Sequence, residues 1–507
     1  MIGIHIYDSR LDYSDNHLNI TKKIGKLKIT LSYHRDYDRE VVFEDNEYVV
    51  FVDGWIFNLN YKTQASETLK LYKRYLDDLP YYLNGQFNIV IGNKNNEEYI
   101  FLNDIYGFRK HFLSNNIISS DYQFVLNNTE NYSINKTNIS YSIENMKLIQ
   151  RDKTFINEIN LVKNASIIKN FNQENYDLEK IESNYKKDFN VNEFVELLIA
   201  KKNQIHKRNI LLPLSGGIDS RFMLELLRDK VSFTLSYGDI LSDELKVANF
   251  VAKSNNTQHI EIDLKPEDFI KDSFRYIKEY GGLDIFTQSS VYKVMKESKR
   301  QINESLVIDT GFALDAFLGD TYGEYLTKEF LYERVFFVLA LRQSAFREYF
   351  EDIYFMYDYE IYFFMKNLNK KRKKYGFYYN LLKHIVKNSF NIPIQSTMID
   401  LSLEPKYWKN AEKIQKEKEY FVLEHYKLHK KAIYHHRYYS DFDMWIRDNK
   451  GWKNLIDKLF FEDKPLILEF LNIDKLRDII LSHYNGETHL RKIVKWITIE
   501  MYLRGLK

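Results

Sequence analysis

At 507 residues, with 44% hydrophobic side chains, the chain is long enough for roughly two to four domains with sizeable cores. A formal net charge of +2 gives no basis for nucleic-acid binding, and the absence of cysteine excludes a disulfide framework, a thiol nucleophile and any cysteine-ligated zinc or iron–sulfur site. The opening Met1–Asp8 has no basic segment followed by a long apolar core. The most apolar helical stretch, Phe336–Leu341, lies between Arg334 and Arg342 and is far shorter than the roughly 20 residues that span a bilayer. The expected setting is cytoplasmic, with no membrane partner.

In chain order, Met1-Ile2-Gly3-Ile4 comes first, followed by Val52-Asp53-Gly54-Trp55-Ile56-Phe57-Asn58, Leu83-Asn84-Gly85-Gln86-Phe87-Asn88-Ile89 and Asp104-Ile105-Tyr106-Gly107. Together these resemble the class II glutamine amidotransferases, whose Met-Cys-Gly-Ile opening exposes a catalytic N-terminal Cys. The resemblance implies an N-terminal nucleophile hydrolase-like β-sandwich over residues 1–185. It also implies that the site has lost its chemistry. Ile2 stands in place of the nucleophile, and an aliphatic side chain cannot attack a carbonyl at any pH. Asp53 replaces the oxyanion-hole Asn and Trp55 the glutamine-binding Glu. Three separate roles fail together, so the expectation is a glutaminase-like domain without glutaminase activity.

The polar stretch from Lys169 through Tyr176 to Asn184 reads as a linker, and Val191 to Ile205 as a helix. Arg208–Leu214 then reads as a short buried strand and Arg221–Leu227 as a helix, with Ser215-Gly216-Gly217-Ile218-Asp219-Ser220 between them. Adjacent glycines allow a tight turn and close backbone approach, while the N–H groups of a helix start attract an anion. Asp219 would repel a bare polyphosphate unless a divalent cation lay between them, which points to Mg-ATP. A plain βα turn capped by Ser215 or Asp219 is the alternative.

The string resembles the pyrophosphatase (PP) loop of ligases that release AMP and pyrophosphate, and it lacks the Lys of a Walker loop. Further strand patterns follow at Ser232–Gly238, His259–Ile262 and Leu306–Gly311, with a helical pattern from Asp243-Glu244 through Val247, Phe250 and Val251. Such alternation predicts a doubly wound parallel sheet with its ligand at the carboxyl ends of the strands. The order is similar to that of asparagine synthetase, so the predicted fold is α/β, with an ATP-pyrophosphatase domain over 186–507. The resemblance implies that Ser215, Gly217, Asp219 and Ser220 hold the phosphates, that Leu235 and Gly311 lie beside the nucleotide, and that Asp219 and Asp315 bind Mg²⁺. Leu214, Gly216 and Thr310 complete the nucleotide-binding set.

Beyond Asp315 the chain reads as helical and aromatic, roughly 320–507, without strand–helix alternation. Lys370–Lys374 reads as a solvated loop. Lys431, ahead of Trp445, resembles the essential lysine of the family and is the candidate catalytic residue. His435-His436 is set aside as a metal pair, because adjacent side chains diverge. Phe312 and Ala316 stand where asparagine synthetase carries glutamates, and Leu283–Tyr292, aligned with an acceptor segment, holds no Arg for an aspartate carboxylate. The expected reaction is adenylation of a small-molecule or peptide carboxylate, followed by coupling to ammonia or an amine. Alternatives are asparagine synthesis proper, ring closure as in β-lactam synthetases and lasso-peptide cyclases, and a catalytically silent nucleotide-binding scaffold. The resemblance also suggests a homodimer.

Overall fold

The computed structural model describes residues 1–35, 37–145, 152–185, 188–205, 208–311, 314–318, 340–368, 376–403, 405–434 and 437–506. The protein is a mixed α/β chain that divides into two compact units. The first comprises residues 1–135, 151–209 and 305–378, the second 136–150, 210–304 and 379–507. The Lys370–Lys374 run and His435-His436 lie outside the described residues, as does most of the Phe336–Leu341 stretch. None of the described helices is long and apolar enough to cross a membrane.

The first unit is built on two six-stranded antiparallel sheets. One has the order β10-β8-β9-β1-β3-β2, where β1 is Gly3–Asp8, β2 Leu18–Ile24, β3 Leu27–Tyr33, β8 Phe112–Leu113, β9 Ile118–Ser119 and β10 Asn160–Leu161. The other has the order β12-β11-β7-β6-β5-β4, where β4 is Val42–Glu44, β5 Tyr48–Ile56, β6 Gly85–Asn93, β7 Glu98–Asn103, β11 Ser166–Lys169 and β12 Asn172–Asn175. Strand alternation explains the layering. Val49, Phe51 and Val90 point to a core shared with Ile4, Ile6, Ile29 and Leu31 of the facing sheet. Val50, Val52, Ile89 and Ile91 point the other way, onto Ala65 and Leu69 of the Gln64–Tyr75 helix. With both faces covered, β5 and β6 are buried almost throughout and read in sequence as continuous apolar runs.

The expected linker is partly a hairpin. Ser166–Lys169 pairs with Asn172–Asn175 around Asn170 and Phe171, whose φ angles of 48° and 62° give the two left-handed residues of a type I′ turn. Asn tolerates that region, whereas Phe171 is held there from outside. Its N–H donates to Tyr99 Oη at 3.1 Å and its ring meets Tyr99 edge-on. Val191–Ile205 is helical as expected.

In the second unit β13 (Ile210–Pro213), β14 (Val231–Gly238) and β15 (Gln258–Asp263) run parallel, with β14 in the middle. The Ile218–Leu226 and Asp243–Ser254 helices form the crossovers that parallel pairing requires. Ser242 caps the second of these by accepting from the Leu245 N–H at 3.3 Å. Residues 379–507 are mainly helical, the longest helix being Pro405–His429.

The last segment of the first unit departs from the expected all-helical stretch. β16 (Val307–Asp309) is paired in parallel with β17 (Glu351–Ile353). Glu351-Asp352 hides this strand in the sequence, because two carboxylates do not read as buried β structure. They are buried nonetheless, and arginines neutralise them.

Candidate functional site

Two places carry the residues singled out in the sequence. In the first unit, Ile2 is buried and its N–H donates to Glu348 Oε1 at 3.2 Å. Asp53, on β5, is 1% exposed and accepts from Arg109 Nη1 at 2.7 Å and Arg347 Nη2 at 3.0 Å. Arg109 also donates to Asp352 Oδ1 at 2.5 Å, and Arg347 Nε lies 3.6 Å from the same carboxylate. Burial alone would raise the Asp53 carboxyl, but Arg109 and Arg347 outweigh it and hold it well below the usual carboxylate range. A second cluster adjoins in sequence. Arg39 donates to Glu351 Oε1 at 2.8 Å, and Arg208 pairs with the other oxygen of Glu351.

Trp55 is buried, with the Arg39 guanidinium 5.0 Å over its ring and Tyr61 stacked 5.3 Å away. Between Asp53 and Trp55, Gly54 has φ +115°, and a Cβ there would come within 2.0 Å of the Gln86 carbonyl and 2.7 Å of Arg109 Nε. The space around Asp53 and Trp55 is therefore occupied by arginine. No thiol or thiolate exists in the chain to act in it.

The second place is the loop after β13. Gly217 is the N-cap of the Ile218–Leu226 helix and has no side chain to occupy the N–H groups of its first turn. Neither Ser215 nor Asp219 is that cap. Ser215 instead braces the loop from within. Its Oγ lies 3.0 Å from Ser220 Oγ and accepts from the Gly217 N–H at 3.2 Å, while Ser220 Oγ accepts from the Ser215 N–H at 3.1 Å. Asp219 stands half-buried in the first turn. Leu214 and Leu235 are buried, and the Leu214 N–H donates to the Leu235 carbonyl at 2.7 Å. The candidate residues Leu214–Ser220 thus follow the carboxyl end of β13, and Leu235 of β14 is paired with the last residue of that strand, Pro213.

Residues that sequence reading did not single out hold this loop. Arg221 is fully buried and donates to the carbonyls of Ser389, Ile392 and Pro393 at 3.0, 2.6 and 3.0 Å. One turn on, Glu225 accepts from the N–H groups of Lys387, Asn388 and Ser389 at 2.6, 2.8 and 2.8 Å. The segment so anchored returns to the loop, where the Gln395 N–H donates to the Gly216 carbonyl at 3.0 Å. A Cβ on Gly216 would come within 2.6 Å of Gln395 Cβ. Gln395 Nε2 also donates to the Arg437 carbonyl at 2.6 Å. Further on, Tyr439 accepts from the Asp239 N–H at 2.9 Å and donates its own N–H to Glu244 Oε2 at 3.1 Å. An Arg and a Glu four apart on a largely apolar helix were the available signal.

The other candidates are placed as follows. Thr310 and Gly311 follow β16 in the first unit, and Thr310 Oγ1 is a buried hydroxyl with no partner among the described residues. Asp315 belongs to the short Leu314–Phe317 helix after them. Phe312 lies outside the described residues, and so do the side chains of Asp315 and Ala316. Lys431 is exposed, in irregular chain just past the Pro405–His429 helix. From the segment beyond it, Arg437 and Tyr439 make the contacts to Gln395, Asp239 and Glu244 just described. Leu283, Asp284, Phe286 and Thr287 of the presumed acceptor segment are buried. Among the described residues there is no group of three or more His, Asp or Glu arranged to hold a metal ion.

Residues 201–306 match the model of a family described as asparagine synthase. This span contains the loop and all three strands of the second unit's parallel sheet, and it supports a synthetase domain of ligase type there. No curated protein matches the chain.

Proposed function

We propose that the protein is an asparagine-synthetase-like, ATP-dependent ligase that activates a carboxylate as an acyl-adenylate, releases pyrophosphate and couples the acyl group to ammonia or an amine. The observation that carries this reading is the braced Ser215–Ser220 loop leading into a helix whose N-cap, Gly217, supplies no side-chain cap, at the carboxyl end of a parallel strand. The N–H groups of its first turn suit the β- and γ-phosphates, and leave the α-phosphate to the incoming carboxylate. The proposed ligand of this loop is Mg-ATP. Gly217, the N-cap, brings no side chain to the first turn, Gly216 lets the Gln395 segment pack against the loop, and Asp219 and Asp315 would hold Mg²⁺, with Leu235, Thr310 and Gly311 beside the nucleotide. Bound Mg²⁺ would supply charge neutralisation on the phosphates. Lys431 is proposed to meet transition-state charge. The setting proposed is cytoplasmic, with residues 1–185 as a degenerate amidotransferase-like domain and 186–507 as the synthetase part.

The test is ATP–pyrophosphate exchange across a panel of carboxylates. A positive acceptor should support exchange alone, whereas net product should also need ammonia or an amine, with AMP and pyrophosphate as the products. Finding ADP and phosphate with a turning-over substrate would overturn adenylation. Separately, glutamine should yield no glutamate above buffer background, with or without ATP. Ile2→Cys should not restore release, since Asp53 stays locked to two arginines and Trp55 stays buried. Steady glutaminase turnover by the wild-type protein would refute the loss of that site.

A further inference from the structure

Three segments of the second unit, 239–244, 394–400 and 437–441, border the Ser215–Ser220 loop, and hydrogen bonds chain them together. Residues 394–399 form a turn, in which the Ile394 N–H donates to the Ile399 carbonyl at 2.8 Å and the Met398 N–H to the Ile394 carbonyl at 2.7 Å. Gln395 of that turn holds both the Gly216 and the Arg437 carbonyls. A Cβ on Gly216 would lie 3.3 Å from the Glu244 carbonyl, and the Glu244 carboxylate accepts from the Tyr439 N–H. Tyr439 completes the chain by accepting from Asp239, the first residue after β14.

Each segment leaves large apolar surface in solvent. Ile240 and Leu241 are 39 and 55% exposed, and Met398 and Tyr438 40% each. The backbone beneath them is fixed. The Ile240 N–H donates to Asp263 Oδ1 at 3.3 Å, the Leu241 N–H to Asp239 Oδ1 at 2.9 Å, and Ser242 caps the helix that follows. Met398 has φ +57°, a left-handed conformation that is unfavourable for a residue with a long side chain, and the turn holds it there. Singly scattered exposed apolar side chains need no explanation, but four on segments tied to one loop do.

The charge of the same segments selects the kind of molecule that fits them. Arg437 is their one Lys or Arg. It is buried, and its guanidinium is engaged by the Ser396 carbonyl and Glu419. Asp239, Asp243, Glu244 and Asp400 stand in these segments as well. A second carboxylate on an acceptor, as on aspartate, would meet like charge there, with the one guanidinium already taken. An aliphatic or aromatic body would instead cover Ile240, Leu241, Met398 and Tyr438, and that burial is favourable. The Leu283–Tyr292 stretch, expected to serve the acceptor, offers less, since its Leu283, Asp284, Phe286 and Thr287 are buried.

We propose that this rim is the acceptor site, and that it takes a carboxylic acid with an aliphatic or aromatic body whose one acidic group is the carboxylate to be activated. The inference rests on the adenylating reaction proposed above and adds the class of its substrate. Free apolar acids and the carboxyl ends of apolar peptides share this chemistry.

The test is ATP–pyrophosphate exchange with hexanoate and 3-phenylpropionate as apolar acids, N-acetyl-leucyl-leucine as an apolar peptide, and L-aspartate and succinate as acidic acceptors. Exchange should follow the free apolar acids, the peptide or both, with kcat/KM roughly tenfold or more above the acidic pair, and the faster of the two kinds identifies the source. Leu241→Glu should raise KM for the better acceptor roughly tenfold or more, the effect of losing one covered Leu side chain, with KM for ATP within about twofold of wild type. Met398→Asn, which suits a left-handed backbone, should also raise the acceptor KM without lowering the melting temperature. A preference for aspartate or succinate would overturn the apolar assignment and leave adenylation standing. So would an acceptor KM indifferent to both substitutions, or a KM for ATP that rises in step with it. Exchange with none of these acceptors would overturn the assignment too. Failure of the adenylating reaction itself would show differently, as ADP and phosphate formed from ATP with one of these acceptors.

Discussion

Asp219→Asn should abolish most of the ATP–pyrophosphate exchange while leaving the protein folded. If Asp219 helps hold Mg²⁺ against the phosphates, losing its charge removes several kcal/mol of transition-state stabilisation, on the order of a hundredfold or more in rate. The effect on folding should be small by comparison. Asp219 lies in the first turn of the Ile218–Leu226 helix, where a carboxylate favours the helix dipole by only about 0.3–1 kcal/mol. The brace made by Ser215 and Ser220 does not involve it. A melting curve within a few degrees of wild type, together with lost exchange, is the expected pair of results. Wild-type exchange rates in a folded Asp219→Asn variant would remove this residue from the site.

The second large effect is expected on stability, at Asp53. Asn is the residue that the amidotransferase resemblance would put there, and this fold should not accept it. With the charge gone, Arg109 and Arg347 are left with Asp352 as the one carboxylate contacting both. All four side chains are 5% exposed or less, so water cannot compensate. Removing one partner of a buried charge cluster costs about 3–5 kcal/mol, and Asp53→Asn should lower the denaturation midpoint accordingly at pH 7. The pH dependence follows from the depressed pKa of Asp53. Its contribution is complete above the unfolded carboxyl value near 4 and is lost as pH falls towards the lower folded value. The gap between wild type and variant should therefore narrow below about pH 4. Equal midpoints at pH 7 would show that the cluster does not stabilise the first unit.

These two residues also mark where sequence reading is strong and where it fails. The Ser215–Ser220 loop is a local feature. Two glycines, flanking apolar runs and a following helical period lie within about twenty residues, so strand, turn and helix were all legible at Ile210–Leu226. The same holds for β14, β15 and the Asp243–Ser254 helix. The match of residues 201–306 to the asparagine synthase model falls on this well-patterned stretch.

What failed depended on partners distant in sequence. Glu351-Asp352 does not look like a strand until Arg39, Arg208 and Arg109 are brought to it, from as far as 312 residues away. Asn170-Phe171 reads as linker, because only the Tyr99 hydroxyl and ring make a left-handed Phe tolerable there. Asp53 was legible as a departure from a family pattern, and its role as an anion between two arginines was not. Arg221 and Glu225 were in plain view on a helix, but what they hold, the carbonyls and N–H groups of residues 387–393, exists only once that segment has returned to the loop. The sequence by itself determined the elements whose burial pattern repeats every two or 3.6 residues, together with the chemistry the chain lacks, since no fold can supply an absent thiol. Tertiary structure alone decided which charges could be buried, because a charge inside a protein is tolerable only beside a counter-charge that the linear order does not reveal.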